Sequence, residues 1–236
     1  MKTVNEENFE DLYDKLYVSV DCVVFGYDFT QSKLNVLVFK RPYYPLKDES
    51  ALIGGFVSQN ESVDDSSKRI LTEFTGIDRA FLEQFSVYGN LNRALKRVVS
   101  IAYWGFIKVL DSDKETLEKH NAYWVPVDSV PDLIFDHNKM ITDALTLLKN
   151  SIKYRPVGFE LLPEKFTIPQ LFNIYTEIYG AELDVRNFSR KMKSLGILDK
   201  LEEKQNSGLG RKAFLHRFNK EKYTSLLSQG FYLDLE

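Results

Sequence analysis

The sequence predicts an α+β fold in two parts, and three observations carry the prediction. Residues 18–150 interleave short runs rich in β-branched residues with two amphipathic helical segments. After Asn150 the order changes to helix, turn, helix and hairpin. The charge divides along the same line. The whole chain of 236 residues carries 31 basic and 34 acidic side chains, net −3. Residues 1–152 hold 17 basic and 23 acidic residues, net −6, whereas residues 153–236 hold 14 and 11, net +3. A composition that is 44% hydrophobic and 14% aromatic supplies enough apolar material for a packed core in each part.

In chain order, residues 5–17 place Phe9, Leu12, Tyr13 and Leu16 on one helical face. Val18–Phe25 reads as a strand, Asp28–Ser32 as a polar turn and Leu34–Phe39 as a second strand buried on both faces, together a hairpin. Pro42 and Pro45 mark a loop, and Ala51–Ile53 leads into Gly54-Gly55. Ser62 is a good N-cap for a helix with Asp64 and Asp65 in its first turn, an apolar face of Ile70, Leu71 and Phe74, and Gly76 to end it. Residues 84–90, 97–108 and 124–127 read as strands, and residues 136–150 as a helix. Tyr154–Gly158 is the expected junction between domains 1–152 and 153–236.

In the second part Thr167 caps a helix that Gly180 ends, and Asp184 caps another that runs to about Leu195 before Gly196. Ile197–Leu201, a polar loop from Glu202 to Arg211 and the alternating strand Lys212–Phe218 follow. This is the order of a winged helix-turn-helix. Residues 186–217 hold 9 basic and 3 acidic residues, net +6. On the second helix Phe188, Met192 and Leu195 form the inward stripe, leaving Arg186, Asn187, Arg190, Lys191 and Lys193 outside it. Arg and Asn side chains can read guanine and adenine edges, and Lys neutralises phosphates. Arg211 and Lys212 at the hairpin extend the basic surface. A plain charged helix face is the competing reading of the same residues.

Other classes are excluded by counting. One cysteine, Cys22, permits neither an intramolecular disulfide nor a C-x-x-C metal site. His120, His137 and His216 are too far apart in sequence to form a helical metal pair. No run approaches 18 apolar residues, and the acidic N-terminus has no signal core, so a cytoplasmic protein that neither spans nor binds a membrane is expected. No metal and no cofactor is expected.

Residues 55–77 resemble the Nudix box, G-x5-E-x7-R-E-U-x-E-E-x-G-U with U aliphatic. Gly55, Glu61, Arg69, Leu71, Glu73, Gly76 and Ile77 match, whereas Ile70 and Phe74 replace two of the helix glutamates. In Nudix hydrolases those glutamates hold Mg²⁺ against a substrate diphosphate, a task an apolar side chain cannot perform. No catalytic residue is therefore expected, and Glu73 remains for structure or for hydrogen bonding to a ligand. Arg93–Tyr103 is similar to an R-D-P-x-x-R-V-V-S-V-A-Y stretch of Nudix-related regulators, with Ala94-Leu95 in place of Asp-Pro. Phe135-Asp136-His137, Phe159–Pro163, Phe166-Thr167 and Asp184–Lys191 extend the likeness to nearly the whole chain.

The family so resembled is the NrtR-type regulators. It implies a Nudix-like α/β/α sandwich sensor, a winged helix-turn-helix, and a homodimer on a palindromic operator. Some members sense ADP-ribose, and a Bacteroidetes branch with a decayed box responds to pentoses such as arabinose or xylose. The segments Ala51–Val57, Lys119–Val125 and Ile134–His137, with the losses at positions 70, 74, 94 and 95, resemble the pentose branch more closely. A pentose-responsive DNA-binding regulator is thus the leading expectation. An ADP-ribose-responsive regulator and an active Nudix pyrophosphohydrolase are the alternatives. Candidate effector-binding residues are Lys40, Arg41, Glu73, Arg93, Arg97, Asp136 and His137, chosen because a sugar needs fixed donors and acceptors. Each also has a structural reading: Lys40 and Arg41 solvated at a strand end, Glu73 paired with Arg69, Arg97 bridging strands, and His137 at a helix start.

Overall fold

In the computed structural model of the chain, residues 14–152, 155–180, 183–206 and 212–229 are described. Tyr17–Asp28 (β1) and Lys33–Lys40 (β2) form the expected hairpin, with Phe25 opposite Val36 and Asp28 opposite Lys33. Asp28 builds the turn by accepting hydrogen bonds from the Thr30 and Gln31 amides. β1 changes partners along its length: Ser19–Cys22 pairs with Ser50–Phe56 (β3), and Phe25–Asp28 with β2. Phe81–Tyr88 (β4), Val98–Phe106 (β5) and Ala122–Pro126 (β6) complete a six-stranded sheet of order β4-β5-β1-β3-β2-β6. β1 and β5 run parallel over Tyr17–Phe25.

Period-two alternation along β1 sorts the core. Val20, Cys22 and Val24 pack with Ile70 and Leu71 of helix Val63–Thr75 (α1) on one face. Val23, Phe25 and Tyr27 belong to the core on the other face, with Met140, Ile141, Ala144 and Leu148 of a second helix, His137–Ser151. The result is the expected α/β/α sandwich. Ser62 caps α1 by accepting from the Asp65 amide, and Gly76, at φ 71°, ends it. Such a cap contributes about 1 kcal/mol. A short helix, Lys114–Lys119 (α2), was not anticipated: it follows a 3-10 turn and buries only Leu117, too little for a periodic signal. The helix His137–Ser151 is α3 in this order. Of the expected N-terminal helix, residues 5–13 lie outside the described residues; Asp14–Leu16 is irregular and Tyr17 already belongs to β1.

The second part contains strand Phe166–Thr167 (β7), helices Ile168–Tyr179 (α4) and Val185–Ser194 (α5), strands Leu198–Asn206 (β8) and Lys212–Phe218 (β9), and helix Lys220–Ser228 (α6). Thr167 and Gln170 form a reciprocal capping box on α4, and Asp184 caps α5. The expected polar loop is shorter than predicted: residues 202–206 continue β8, because backbone pairing of 204–206 with β9 holds a strand that has no apolar alternation. β7-β9-β8 is the sheet of a winged helix. The core around α3 runs on into Leu171, Ile174, Tyr175, Phe188 and Met192. The Leu34 amide also donates to Glu177 of α4 at 3.4 Å. Among the described residues no helix is long and apolar enough to cross a membrane.

Candidate effector cavity and nucleic-acid interface

A cavity of about 460 Å³ opens between β1, β3, α1, the start of β5 and the loops 41–45 and 93–96. Of the candidate residues, Arg41, Glu73, Arg93 and His137 line it. Lys40 and Arg97 do not. Lys40 ends β2 pointing to solvent, and Arg97 donates to the Gly89 carbonyl at 2.9 Å, which ties β4 to the loop before β5. Both took the structural role open to them. Asp136 stands behind the wall, where its carboxylate accepts a bidentate pair from Arg93 at 3.0 and 2.7 Å. Removing one partner of so buried a pair typically costs about 3–5 kcal/mol.

Arg93 has a side chain 3% exposed and stands 3.6 Å from Asp21. Asp21 is itself buried and accepts from Ser100 Oγ. His137 Nδ1 accepts the Leu52 amide at 3.0 Å, so the ring proton sits on Nε2. Burial holds the pKa of His137 below the usual histidine range, with Arg93 and Arg41 adding to the effect and Asp21 and Asp136 opposing it. The floor of the cavity therefore combines one buried guanidinium, the Asp21 carboxylate and a neutral imidazole, with the Asp136 carboxylate behind them. Sequence reasoning missed Asp21, although a lone charge inside an otherwise apolar strand is a signal in itself.

Arg41 forms the opposite wall. Its guanidinium lies 4.6 Å from the centre of the Tyr43 ring, and Nη2 donates to the Pro45 carbonyl at 3.2 Å. Its Nε is buried and has no hydrogen-bond acceptor among the described residues. At the mouth, Tyr17 and Phe56 pair at 5.4 Å, both more than half exposed, with Lys96 Nζ 5.3 Å from the Tyr17 ring. None of Tyr17, Tyr43, Phe56 and Lys96 was singled out from sequence, because aromatic and lysine positions carry no spacing signal.

The box residues serve structure. Arg69 takes Glu61 in two hydrogen bonds, at 2.8 and 2.6 Å, and Glu73 at 3.0 Å, and also donates to the Phe56 carbonyl. The guanidinium holds the Glu61 carboxyl down at about 2. Ile70 packs under Gly55, where an added Cβ would sit 3.1 Å from its Cδ1. Phe74 stacks at a tilt on Phe39, 5.4 Å away. One carboxylate already held by arginine does not fit the Mg²⁺ that Nudix hydrolases carry.

On α5, Phe188 and Met192 face the core, and Arg186, Asn187, Arg190 and Lys193 are exposed. Lys191 is half-buried, so it lies at the edge of the presented face. Arg190 donates to the Asn187 carboxamide oxygen, which joins two candidate base-reading groups. On the hairpin Lys212 is exposed, and Arg211 lies outside the described residues. Lys200 and Lys204 stand 3.8 and 4.3 Å from the centre of the Phe214 ring, adding cations to the wing that the sequence reading did not name.

Comparison with known proteins agrees with this architecture. A family model for the NrtR DNA-binding winged helix domain matches residues 158–218. The ADPR responsive transcriptional repressor NtrR of Acinetobacter baylyi is 32% identical over 216 residues, covering 89% of this chain and 85% of the relative. The crystal structure of Shewanella oneidensis NrtR complexed with a 27mer DNA superposes with a TM-score of 0.76 at 25% identity, covering 88% and 95% of the two chains. The Nudix domain of that protein complexed with ADP ribose matches with a TM-score of 0.51 at 25% identity, over 61% of this chain and 94% of that one. The pentose-responsive branch has no counterpart among these relatives. With an α/β/α sandwich, a winged helix and a repressor relative matched along most of both chains, this chain belongs to the NrtR family of Nudix-related, winged-helix DNA-binding transcriptional regulators.

Proposed function

We propose that residues 153–236 bind operator DNA, that residues 1–152 bind a nucleotide sugar of the ADP-ribose class, and that the protein works as a homodimer without pyrophosphohydrolase activity. The observation that carries the effector class is the Arg41 guanidinium on the wall of the cavity. A guanidinium on a cavity wall offers charged N–H donors to an anionic ligand. A guanidinium favours phosphate oxygens above all. A free pentose has no such group and would leave most of a 460 Å³ cavity to water. A purine ring fits the aromatic pair Tyr17 and Phe56, with Lys96 beside it for phosphate. The relatives that respond to or hold ADP-ribose support the same choice over arabinose or xylose.

The loss of Mg²⁺ ligands at Ile70 and Phe74 makes the cavity a receptor that returns its ligand unchanged. Arg186, Asn187, Arg190 and Lys193, with Lys212 and Arg211, form the proposed DNA surface, and Lys191 supports it from the edge. Coupling between the two sites has a short physical route. α3 carries His137 at the cavity and Leu148 in the core shared with α4. β2 leads to Arg41 at one end and to Glu177 at the other. A ligand that binds the two arrangements with different affinity shifts operator binding through these elements.

Titration calorimetry tests the effector class. ADP-ribose is expected to bind the wild type, arabinose and xylose are not, and Arg41→Ala is expected to weaken ADP-ribose at least about tenfold. Heat from a pentose with none from ADP-ribose would reverse the assignment. Steady release of phosphoester products from ADP-ribose with Mg²⁺ would restore the hydrolase.

A further inference from the structure

We propose that Asp21 and His137 at the cavity floor recognise a hydroxyl of a pentose, namely the terminal pentose of the bound nucleotide sugar. The proposal rests on the effector class argued above. His137 Nε2 lies 3.6 Å from Asp21 Oδ1. That is too long for a direct hydrogen bond and short enough for one oxygen to touch both. Asp21 uses Oδ2 for Ser100, and Oδ1 accepts no hydrogen bond among the described residues. His137 spends Nδ1 on the Leu52 amide, which fixes Nε2 as the donor. Both residues line the cavity.

An acceptor and a donor at this separation form the complement of a hydroxyl, which gives one hydrogen bond and takes another. They are the wrong complement for a phosphoryl group, whose oxygens only accept and would meet the Asp21 carboxylate. Gly54 makes room for the arrangement: a Cβ there would stand 2.0 Å from Asp21 Oδ1. The exposed aromatic pair is at the mouth, so a base held there directs the distal pentose inward to the floor.

The test compares ADP-ribose, ADP and arabinose on the wild type, Asp21→Asn and His137→Asn. Asparagine at 21 keeps an acceptor for Ser100 and puts an amide N–H donor in place of the Oδ1 acceptor. Asparagine at 137 offers its carbonyl to the Leu52 amide and lacks the Nε2 donor, so it tests the proposal even where the first variant folds poorly. Wild type is expected to prefer ADP-ribose to ADP at least about tenfold, the worth of one hydrogen bond to a charged group. Each variant is expected to lose that preference, with a larger fold-loss of affinity for ADP-ribose than for ADP. Equal losses for ADP-ribose and ADP, or an unchanged preference, would overturn the proposal. Arabinose binding that both variants abolish, without ADP-ribose binding, would keep the hydroxyl site and remove the nucleotide. Wild type binding none of the three would remove both.

Discussion

Arg190→Ala lowers affinity for operator DNA by at least about tenfold, the range of one lost base or phosphate contact, and the double variant with Arg186→Ala loses more. Arg190 is exposed on α5 while Phe188 and Met192 fix the helix from below, so the substitution leaves the core intact. Lys68→Ala, an exposed cation on α1 of the acidic first part, is the matched control and leaves operator affinity unchanged. Wild-type affinity falls steeply with added salt because each neutralised phosphate releases counterions, and the slope shrinks in the double variant. Fluorescence anisotropy over a salt series reads all three. A flat salt response, or an Arg190→Ala protein that binds like wild type, removes α5 from the DNA surface.

Gly54→Ala has the second large effect, and it strikes fold and cavity together. The added Cβ would stand 2.0 Å from Asp21 Oδ1 and 2.9 Å from the Val20 carbonyl oxygen. The first atom belongs to a buried side chain and the second to the central strand of the sheet, so neither yields cheaply. Overpacking of this kind costs about 1–3 kcal/mol, which in a chain of this length lowers the melting temperature by several degrees. Asp21 is also displaced from Ser100, so ligand binding falls beyond what the loss of stability explains. A thermal melt paired with calorimetry separates the two effects. Gly54→Ala with wild-type melting and binding would mean that the close approach of β1 and β3 is unimportant.

What was legible in the sequence follows from where the information sits. The caps Ser62, Thr167 and Asp184, and the stops Gly76 and Gly180, are local chemistry, so α1, α4 and α5 could be placed within a residue or two. A β-branched run revealed β1, a continuous apolar run β2 and period-two alternation β9, for the same reason. α2 and β7 carry too few apolar residues to signal, and β8 extends past its apolar portion only because β9 lies beside it. The cavity was half legible. Glu73 and His137 sit in motifs, and the arginines were visible as charges. The floor depends on contacts over long separations: Arg93 to Asp136 spans 43 residues and Asp21 to Ser100 spans 79. No window of sequence shows that Arg93 is neutralised from behind or that Arg41 stands on the same cavity wall. Decay of the box suggested a ligand without phosphate, whereas the proposed nucleotide-sugar reading rests on Arg41, a guanidinium on the cavity wall that can donate to phosphate oxygens.

The most direct measurement is operator affinity of the wild-type protein with and without saturating ADP-ribose, with arabinose in parallel. If the cavity receives a nucleotide sugar and is coupled to α5, ADP-ribose changes operator affinity by about fivefold or more, and operator DNA changes ADP-ribose affinity by the same factor. Arabinose leaves the operator complex as it was. An operator affinity that responds to arabinose and is indifferent to ADP-ribose would contradict the assignment.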